Sequence, residues 1–288
     1  FATPEELQCI NQSTTTTIIE KLSCLKDVTV VAEHAKVEKT ETTEETPAYI
    51  DLLFKQPTDH AQPNGETFQQ RFTLQHRGEN EPMVLQTSGY SIFGVRDSEI
   101  SGLFGTNQIQ VEHRFFSKSK PTSMDWTKLD IEQSANDFHR ITVAMKQIYG
   151  KKWVGTGASK GGMTSVYHRY FYPNDLDGTV ADVAPLSFST ADSRYVSFVE
   201  NVGGQTYSQC RETFKAWQIG MLQDREKFVP SIIGNFTQLG SSDMAFEHAV
   251  IESVFYFWQY GNPESKETGC AMIPLNGTDQ ERFAFLDA

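Results

Sequence analysis

Apolar and polar residues alternate along Phe68-Gln69-Gln70-Arg71-Phe72-Thr73-Leu74, a period of two that predicts a half-buried strand. Tyr49-Ile50-Asp51-Leu52-Leu53-Phe54 reads as the strand before it, across a loop marked by Pro57, Pro63 and Gly65. Met83-Val84-Leu85-Gln86-Thr87 and Gln108-Ile109-Gln110-Val111-Glu112-His113 are the next short apolar runs. From 129 to 149 the spacing becomes helical, with Ile131, Ala135, Phe138, Ile141, Met145 and Ile148 on one face. A short strand at Trp153-Val154, a helix pattern over Met163, Val166, Tyr167 and Tyr170, and a strand at Gly178-Thr179-Val180-Ala181-Asp182-Val183 complete the series. Strands alternating with helices predict an α/β fold with a mostly parallel sheet and right-handed crossovers.

The two ends read differently. Residues 1 to about 35 carry a helical pattern (Leu7, Ile10, Ile18, Ile19, Leu22, Leu25) broken by the threonine run 14–17 and by Cys9 and Cys24. The Glu-, Lys- and Thr-rich stretch 36–47 suits an exposed edge strand or a linker. Beyond Ser187 strand signals stop, and 194–228 and 243–260 read as aromatic-rich helices. The expected organisation is an N-terminal segment and linker over 1–45, an α/β core over 46–189 and a helical cap over 190–288.

One stretch carries chemistry. Lys151-Lys152-Trp153-Val154-Gly155-Thr156-Gly157-Ala158-Ser159-Lys160-Gly161-Gly162-Met163 is a strand running through Gly-x-Ser-x-Gly into a helix, the nucleophile elbow of an α/β-hydrolase. The turn is so sharp that residues two places either side of the serine must be tiny, which Gly157 and Gly161 satisfy. The bare pentapeptide arises by chance in roughly one chain of this length in ten. The strand before it and the helix after it are what raise it above a helix-starting serine. In this fold one oxyanion donor is the amide after the nucleophile, here Lys160, and the other comes from the loop after the third strand, here Gly89 or Tyr90.

The partner base is harder to place. Chain order in this fold is nucleophile, acid, histidine, yet only His168 and His248 follow Ser159. His168 lies on the same helix, about 13 Å along its axis at 1.5 Å per residue, so it cannot reach. His248 falls inside a cap helix, where a packing or surface role is the simpler reading. His113 ends a strand two strands from the elbow, about 9–10 Å away, and it reads as structural, as does His139. Lys160 is a candidate general base, beside the stronger reading of a solvated lysine whose amide matters more, and Glu112 is a candidate for a cationic substrate group, beside the plainer reading of a strand-end residue. Phe255-Tyr256-Phe257-Trp258 and Tyr260 suit a pocket lining or, more simply, a core.

Composition narrows the class. The chain has 288 residues, 38% hydrophobic and 12% aromatic, enough for one α/β domain with an insertion or for two small domains. No apolar run approaches the ~20 residues of a membrane span. Phe1-Ala2-Thr3-Pro4 lacks the basic start and apolar stretch of a signal peptide, as a mature chain would after cleavage. A net charge of -12 leaves no basic patch for phosphates and argues against nucleic acid. The four cysteines are Cys9, Cys24, Cys210 and Cys270. They allow three pairings, among which the sequence does not choose, and their spacings suit no zinc site. An even count without metal spacing points to an oxidising compartment, hence a secreted or periplasmic protein. Asn11-Gln12-Ser13, Asn235-Phe236-Thr237 and Asn276-Gly277-Thr278 are formal glycosylation sequons.

Several longer runs carry a resemblance. These are Gln56-Pro57-Thr58-Asp59-His60, Thr87-Ser88-Gly89-Tyr90, Glu112-His113-Arg114-Phe115-Phe116, Asp125-Trp126-Thr127-Lys128-Leu129-Asp130-Ile131, Ser159-Lys160-Gly161-Gly162-Met163-Thr164, Tyr172-Pro173-Asn174-Asp175-Leu176-Asp177-Gly178-Thr179-Val180 and Phe257-Trp258-Gln259-Tyr260. Together they resemble the secreted bacterial prolyl tri/tetrapeptidyl aminopeptidases, serine peptidases distantly similar to prolyl carboxypeptidase and dipeptidyl peptidase II. The resemblance implies an α/β-hydrolase with a helical cap that removes short peptides from free N-termini, often after proline, with Ser159 as nucleophile and no metal or organic cofactor. It also supports pairing of Cys210 with Cys270, which leaves Cys9 with Cys24. Ala158 departs from the Gly-Gly-Ser that usually opens the family's elbow. The family's catalytic aspartate and histidine, and the last strands of its sheet, lie beyond the position of Ala288. The expectation is therefore that a further segment or a second chain supplies the base, or that the chain is a truncated, inactive relative acting as a binding protein. An esterase or lipase on the same fold is the alternative enzyme. For the substrate's free amine a cap glutamate is expected, Glu200 or Glu247.

Overall fold

A computed structural model describes residues 3–11, 17–39, 46–260 and 266–287. The chain divides into two compact units, Phe1–Leu186 and Ser187–Ala288.

The first unit opens with α1 (Pro4–Asn11) and α2 (Ile18–Ser23). Thr17 and Glu20 form a reciprocal capping box at the start of α2, and the Cys9–Cys24 disulfide ties the two helices together. The chain then departs from the helical expectation. Val28–His34 is a strand, β1, with one side half-buried and the other exposed. It pairs antiparallel with β2 (Tyr49–Pro57), which pairs antiparallel with β3 (Thr67–Gln75). Val37 and Thr46 form an isolated antiparallel bridge. Residues 12–16 and 40–45, with most of the threonine run, two-thirds of the first sequon and the centre of the 36–47 stretch, lie outside the described residues.

The alternating half follows. β4 (Met83–Thr87), α3 (Glu99–Phe104), β5 (Asn107–Val111), α4 (Ile131–Met145), β6 (Trp153–Ala158), α5 (Lys160–Phe171) and β7 (Gly178–Asp182) come in that order. The sheet order among the described residues is β1-β2-β3-β5-β4-β6-β7. Pairings from β5 through β4 and β6 to β7 are parallel, while β3 meets β5 antiparallel. The sheet is thus antiparallel on one side and parallel on the side that carries the elbow. Leu52, Phe72, Leu74, Leu85 and Ile109 from the sheet pack with Phe138, Ile141 and Met145 of α4, all fully buried. At the other end β7 stays exposed, Val180 to 44%, with no strand on its outer side among the described residues.

Two polar clusters brace α4. Arg114 and Asp137 form a fully buried ion pair, and His60 Nε2 lies 2.7 Å from the same carboxylate. Burial works to raise the Asp137 carboxyl, but Arg114 and His60 more than offset it and hold it below its ordinary value. Nearby, His139 Nδ1 and His168 Nε2 each lie 2.8 Å from Asp175 Oδ2. Burial opposes that carboxylate too, yet hydrogen bonds from the two imidazoles hold its pKa down to about 2. Both histidines are therefore committed to joining α4, α5 and the loop before β7.

The second unit is helical throughout its described residues. It contains α6 (Ser193–Asn201), α7 (Ser208–Gln223), α8 (Arg225–Phe228), α9 (Ser242–Gln259), α10 (Lys266–Met272) and α11 (Asp279–Asp287). Phe214, Trp217, Met221, Phe228, Phe246 and Val250 form its own core, and the Cys210–Cys270 disulfide joins α7 to α10. Phe255, Phe257 and Trp258 pack partly buried against that core, whereas Tyr256 and Tyr260 are exposed.

Candidate active site

β6 lies between β4 and β7 in the parallel half, so its C-terminal end opens at one edge of the sheet. The chain leaves it through Ser159, whose backbone sits at φ 54 and ψ -124, a region that side chains rarely adopt. That conformation turns strand into helix within one residue. It is held from both sides: Ser159 N–H donates to the Asp182 carbonyl at the end of β7, and Met163 N–H closes the first turn of α5 on the Ser159 carbonyl, each at 3.0 Å.

The neighbouring glycines show how little room the turn leaves. A Cβ on Gly161 would stand 2.5 Å from the Thr87 carbonyl, and one on Gly157 would meet the Gly161 carbonyl and Thr87 Oγ1, the latter at 2.7 Å. Thr87 Oγ1 itself donates to the Gly161 carbonyl at 2.7 Å, fastening the end of β4 to the first turn of α5. Ser159 is left exposed, and its hydroxyl makes no capping hydrogen bond. The serine is therefore an exposed hydroxyl and not a side-chain helix cap.

The loop after β4 faces that turn. Counting β1, it follows the fourth strand and not the third. A Cβ on Gly89 would stand 2.5 Å from Lys160 Cβ and 2.8 Å from the Gly161 nitrogen, so only glycine lets the two backbones approach this closely. The pair of amides offered by Gly89 and Tyr90 separates here. Tyr90 N–H donates to Ser88 Oγ at 3.0 Å and is already engaged. The Gly89 amide remains the donor to set beside Lys160, whose N–H belongs to the first helical turn and has no acceptor within α5. Beside these loops a cleft of about 330 Å³ is lined by Ser88, Gly89, Tyr90, Phe93, Ala158 and Gly161 among others.

Glu112 is 1% exposed. Its oxygens accept from Ser119 Oγ at 2.6 Å and from Ile92 N–H at 3.1 Å, so it fastens two loops. Glu200 belongs to the second unit, exposed on α6 beside an apolar cleft of about 600 Å³. Glu247 pairs with Arg225 at 2.9 Å, and His248 is exposed on α9. His113 is buried against Ser134 Oγ at 2.9 Å, and burial, aided by the nearby Lys160 charge, pushes it down to about 4. It is a neutral, structural imidazole. Among the described residues no histidine hydrogen-bonds Ser159, and no group of three His, Cys, Asp or Glu side chains is placed to hold a metal ion. No described helix is long and apolar enough to cross a membrane.

The Lys160 side chain is half-buried and is not the solvated lysine expected from the sequence. Its ammonium donates to the Gly89 carbonyl at 2.5 Å and lies 5.1 Å from the ring centroids of both Tyr90 and Phe116. Lys160 starts α5, whereas Tyr90 and Phe116 come from the loops after β4 and β5, and no local pattern joins the three.

A serine at positive φ between a parallel strand and a helix, with glycines packed around it, defines an α/β-hydrolase. Residues 26–288 match the sequence profile of the family described as PS-10 peptidase S37. The chain belongs to that family. Over 249 residues it is 41% identical to the prolyl tri/tetrapeptidyl aminopeptidase of Streptomyces mobaraensis, an alignment covering 83% of this chain and 51% of the relative. The chain thus spans about half the length of that curated relative. Among solved structures, an esterase from Aspergillus oryzae is similar at 16% identity and TM-score 0.42, over 76% of this chain and 46% of the esterase. An α/β fold family hydrolase from Bacillus anthracis is similar at 15% identity and TM-score 0.40, over 83% and 73% of the two chains.

Proposed function

We propose that the protein is a serine exopeptidase that releases tri- or tetrapeptides from free N-termini, cleaving after proline through an acyl-enzyme on Ser159. The observation that carries this reading is the exposed Ser159 at φ 54, in a chain of the S37 peptidase family. In the first step Ser159 Oγ attacks the scissile carbonyl, and its proton passes through a base to the leaving amine. The carbonyl oxygen becomes an oxyanion and accepts from the Gly89 and Lys160 amides. Water then repeats the attack and frees the peptide. Each donor in such a hole contributes about 10²–10³ in rate.

The base and its orienting acid come from a further segment or a second chain that adds to the sheet beyond β7. Support comes from the commitment of His113, His139 and His168 to other partners and from the open outer side of β7. The two disulfides favour a secreted or periplasmic setting.

The test is a fluorophosphonate probe and a peptide panel applied to the full-length protein. Labelling should be lost in Ser159→Ala, and unblocked Xaa-Xaa-Pro substrates should be cleaved while N-blocked ones are not. Turnover of acyl esters without any unblocked peptide would instead make it an esterase, and absence of labelling would leave a binding protein.

A further inference from the structure

We propose that the Lys160 side chain is a positioning residue that clamps the loop after β4 onto the elbow and so fixes the spacing of the two oxyanion amides. The proposal rests on the assignment of Ser159 as nucleophile, and it concerns the side chain, apart from the amide of the same residue.

Lys160 starts α5, directly after Ser159, and its stem is what a Cβ on Gly89 would strike. The ammonium donates to the Gly89 carbonyl at 2.5 Å. In a trans peptide the carbonyl of Gly89 and the following amide point in opposite directions, so holding that carbonyl fixes the plane of the 89–90 peptide and the position of Gly89 Cα, one bond from the Gly89 amide nitrogen. Ser88 Oγ, accepting from Tyr90 N–H at 3.0 Å, holds the other end of the same plane. Gly89, lacking a Cβ, is otherwise intrinsically free to take backbone conformations closed to other residues.

The cage around the ammonium is itself braced. Tyr90 and Phe116 meet edge to face with ring centroids 5.4 Å apart, each 5.1 Å from Lys160 Nζ. Phe116 is carried on a tight turn between Phe115 at φ 70 and Ser117 at φ 48, closed by Ser119 N–H on the Phe116 carbonyl at 2.9 Å. Glu112 then ties the two loops to each other, with one oxygen on Ser119 of the Phe116 loop and the other on Ile92, two residues beyond Tyr90. Among the described residues no carboxylate forms an ion pair with Lys160. A charged lysine set between two rings and one carbonyl is costly to bury, and burial holds its pKa below the ordinary value. The groups facing it are the Tyr90 phenol from the loop after β4 and His113 from the loop after β5. Behind them, Arg114 is turned to Asp137, and the Glu112 carboxylate to Ile92 and Ser119.

The experiment measures fluorophosphonate labelling of Ser159 in the full-length protein from pH 7 to 10.5, with peptide turnover measured in parallel. Lys160→Met keeps the backbone amide and most of the stem. It should label about 10–100-fold more slowly and lose kcat by a similar factor, with KM within about threefold. Lys160→Arg should recover most of the neutral-pH rate. Since the ammonium holds the loop only while protonated, wild type should slow as pH rises through the lowered lysine pKa, whereas Lys160→Arg stays flat. Tyr90→Phe keeps the ring and removes the phenol, so the alkaline decline should persist in it. Equal labelling by wild type and Lys160→Met overturns the proposal, as does an alkaline decline that remains in Lys160→Arg. Should Lys160→Met fail to fold, the Lys160→Arg profile alone decides. Wild type that labels at Ser159 but cleaves no peptide would sink the substrate assignment and leave the Lys160 comparison standing.

Discussion

Arg114 and Asp137 meet through two parallel hydrogen bonds, 2.7 Å from Nε and 2.8 Å from a terminal guanidinium nitrogen, with both side chains wholly buried. The remaining guanidinium protons reach the Thr58, Lys128 and Pro57 carbonyls at 3.0, 2.8 and 3.3 Å. One arginine therefore gathers the loop after β2, the segment before α4 and α4 itself. Asp137→Asn leaves a buried cation short of its partner and should cost about 3–5 kcal/mol. Urea unfolding of the full-length protein measures it, and a loss under about 1 kcal/mol would show that the pair is not a brace.

Acid should loosen the same helix from its other side. The Asp175 carboxyl titrates at about 2 in the fold, below its ordinary 3.8. Its pairing with His139 and His168 therefore contributes stability that is present above about pH 4 and lost as pH falls towards 2. With the site partly open to solvent, the contribution is on the order of 1–2 kcal/mol. Unfolding midpoints between pH 2 and 5 should fall more steeply in wild type than in Asp175→Asn, and parallel curves would contradict this.

At the elbow, space decides. Gly161→Ala places a Cβ 2.5 Å from the Thr87 carbonyl, a backbone atom that cannot simply rotate away. We expect a cost of about 1–3 kcal/mol and, with Ser159 displaced, labelling slowed at least about tenfold. Gly150→Ala, whose Cβ meets nothing within 4 Å, is the control and should change neither. The two variants compared in one labelling assay check both statements.

Removing a disulfide should cost more in the helical unit than at the N-terminus. Cys210–Cys270 spans 60 residues and Cys9–Cys24 spans 15. Chain entropy assigns the longer loop about 4 kcal/mol and the shorter about 3. Paired Cys→Ser variants, followed by proteolysis of each unit under increasing urea, should rank in that order.

β2, the first half of β3 and α4 were legible because their buried positions repeat with periods of two and of about 3.6, and β4 and β5 as short apolar runs buried almost throughout. β1 was not. Val28, Thr29, Val30 and Val31 place apolar residues on both of its faces, and Val31 is 56% exposed at the edge, so no alternation marked it. α3 also passed unread, although its ends were signalled by Ser98, which caps it, and by Gly105, which ends it at φ 63. The elbow could be read from its glycines, since a sharp turn dictates residue size locally. The roles of Glu112 and the Lys160 side chain could not. Ile92 is 20 residues from Glu112 and Gly89 is 71 from Lys160. Only the sheet order, in which β4 lies between β5 and β6, brings the loops together.

Ser159 occupies a backbone conformation that suits glycine better than serine. Ser159→Gly should therefore raise the unfolding free energy by about 1 kcal/mol while abolishing probe labelling. Stability and probe labelling are expected to pull in opposite directions at this residue. A screen of variants for heat resistance alone would favour the change that removes the reactive hydroxyl, so any effort to toughen the protein has to select for labelling as well.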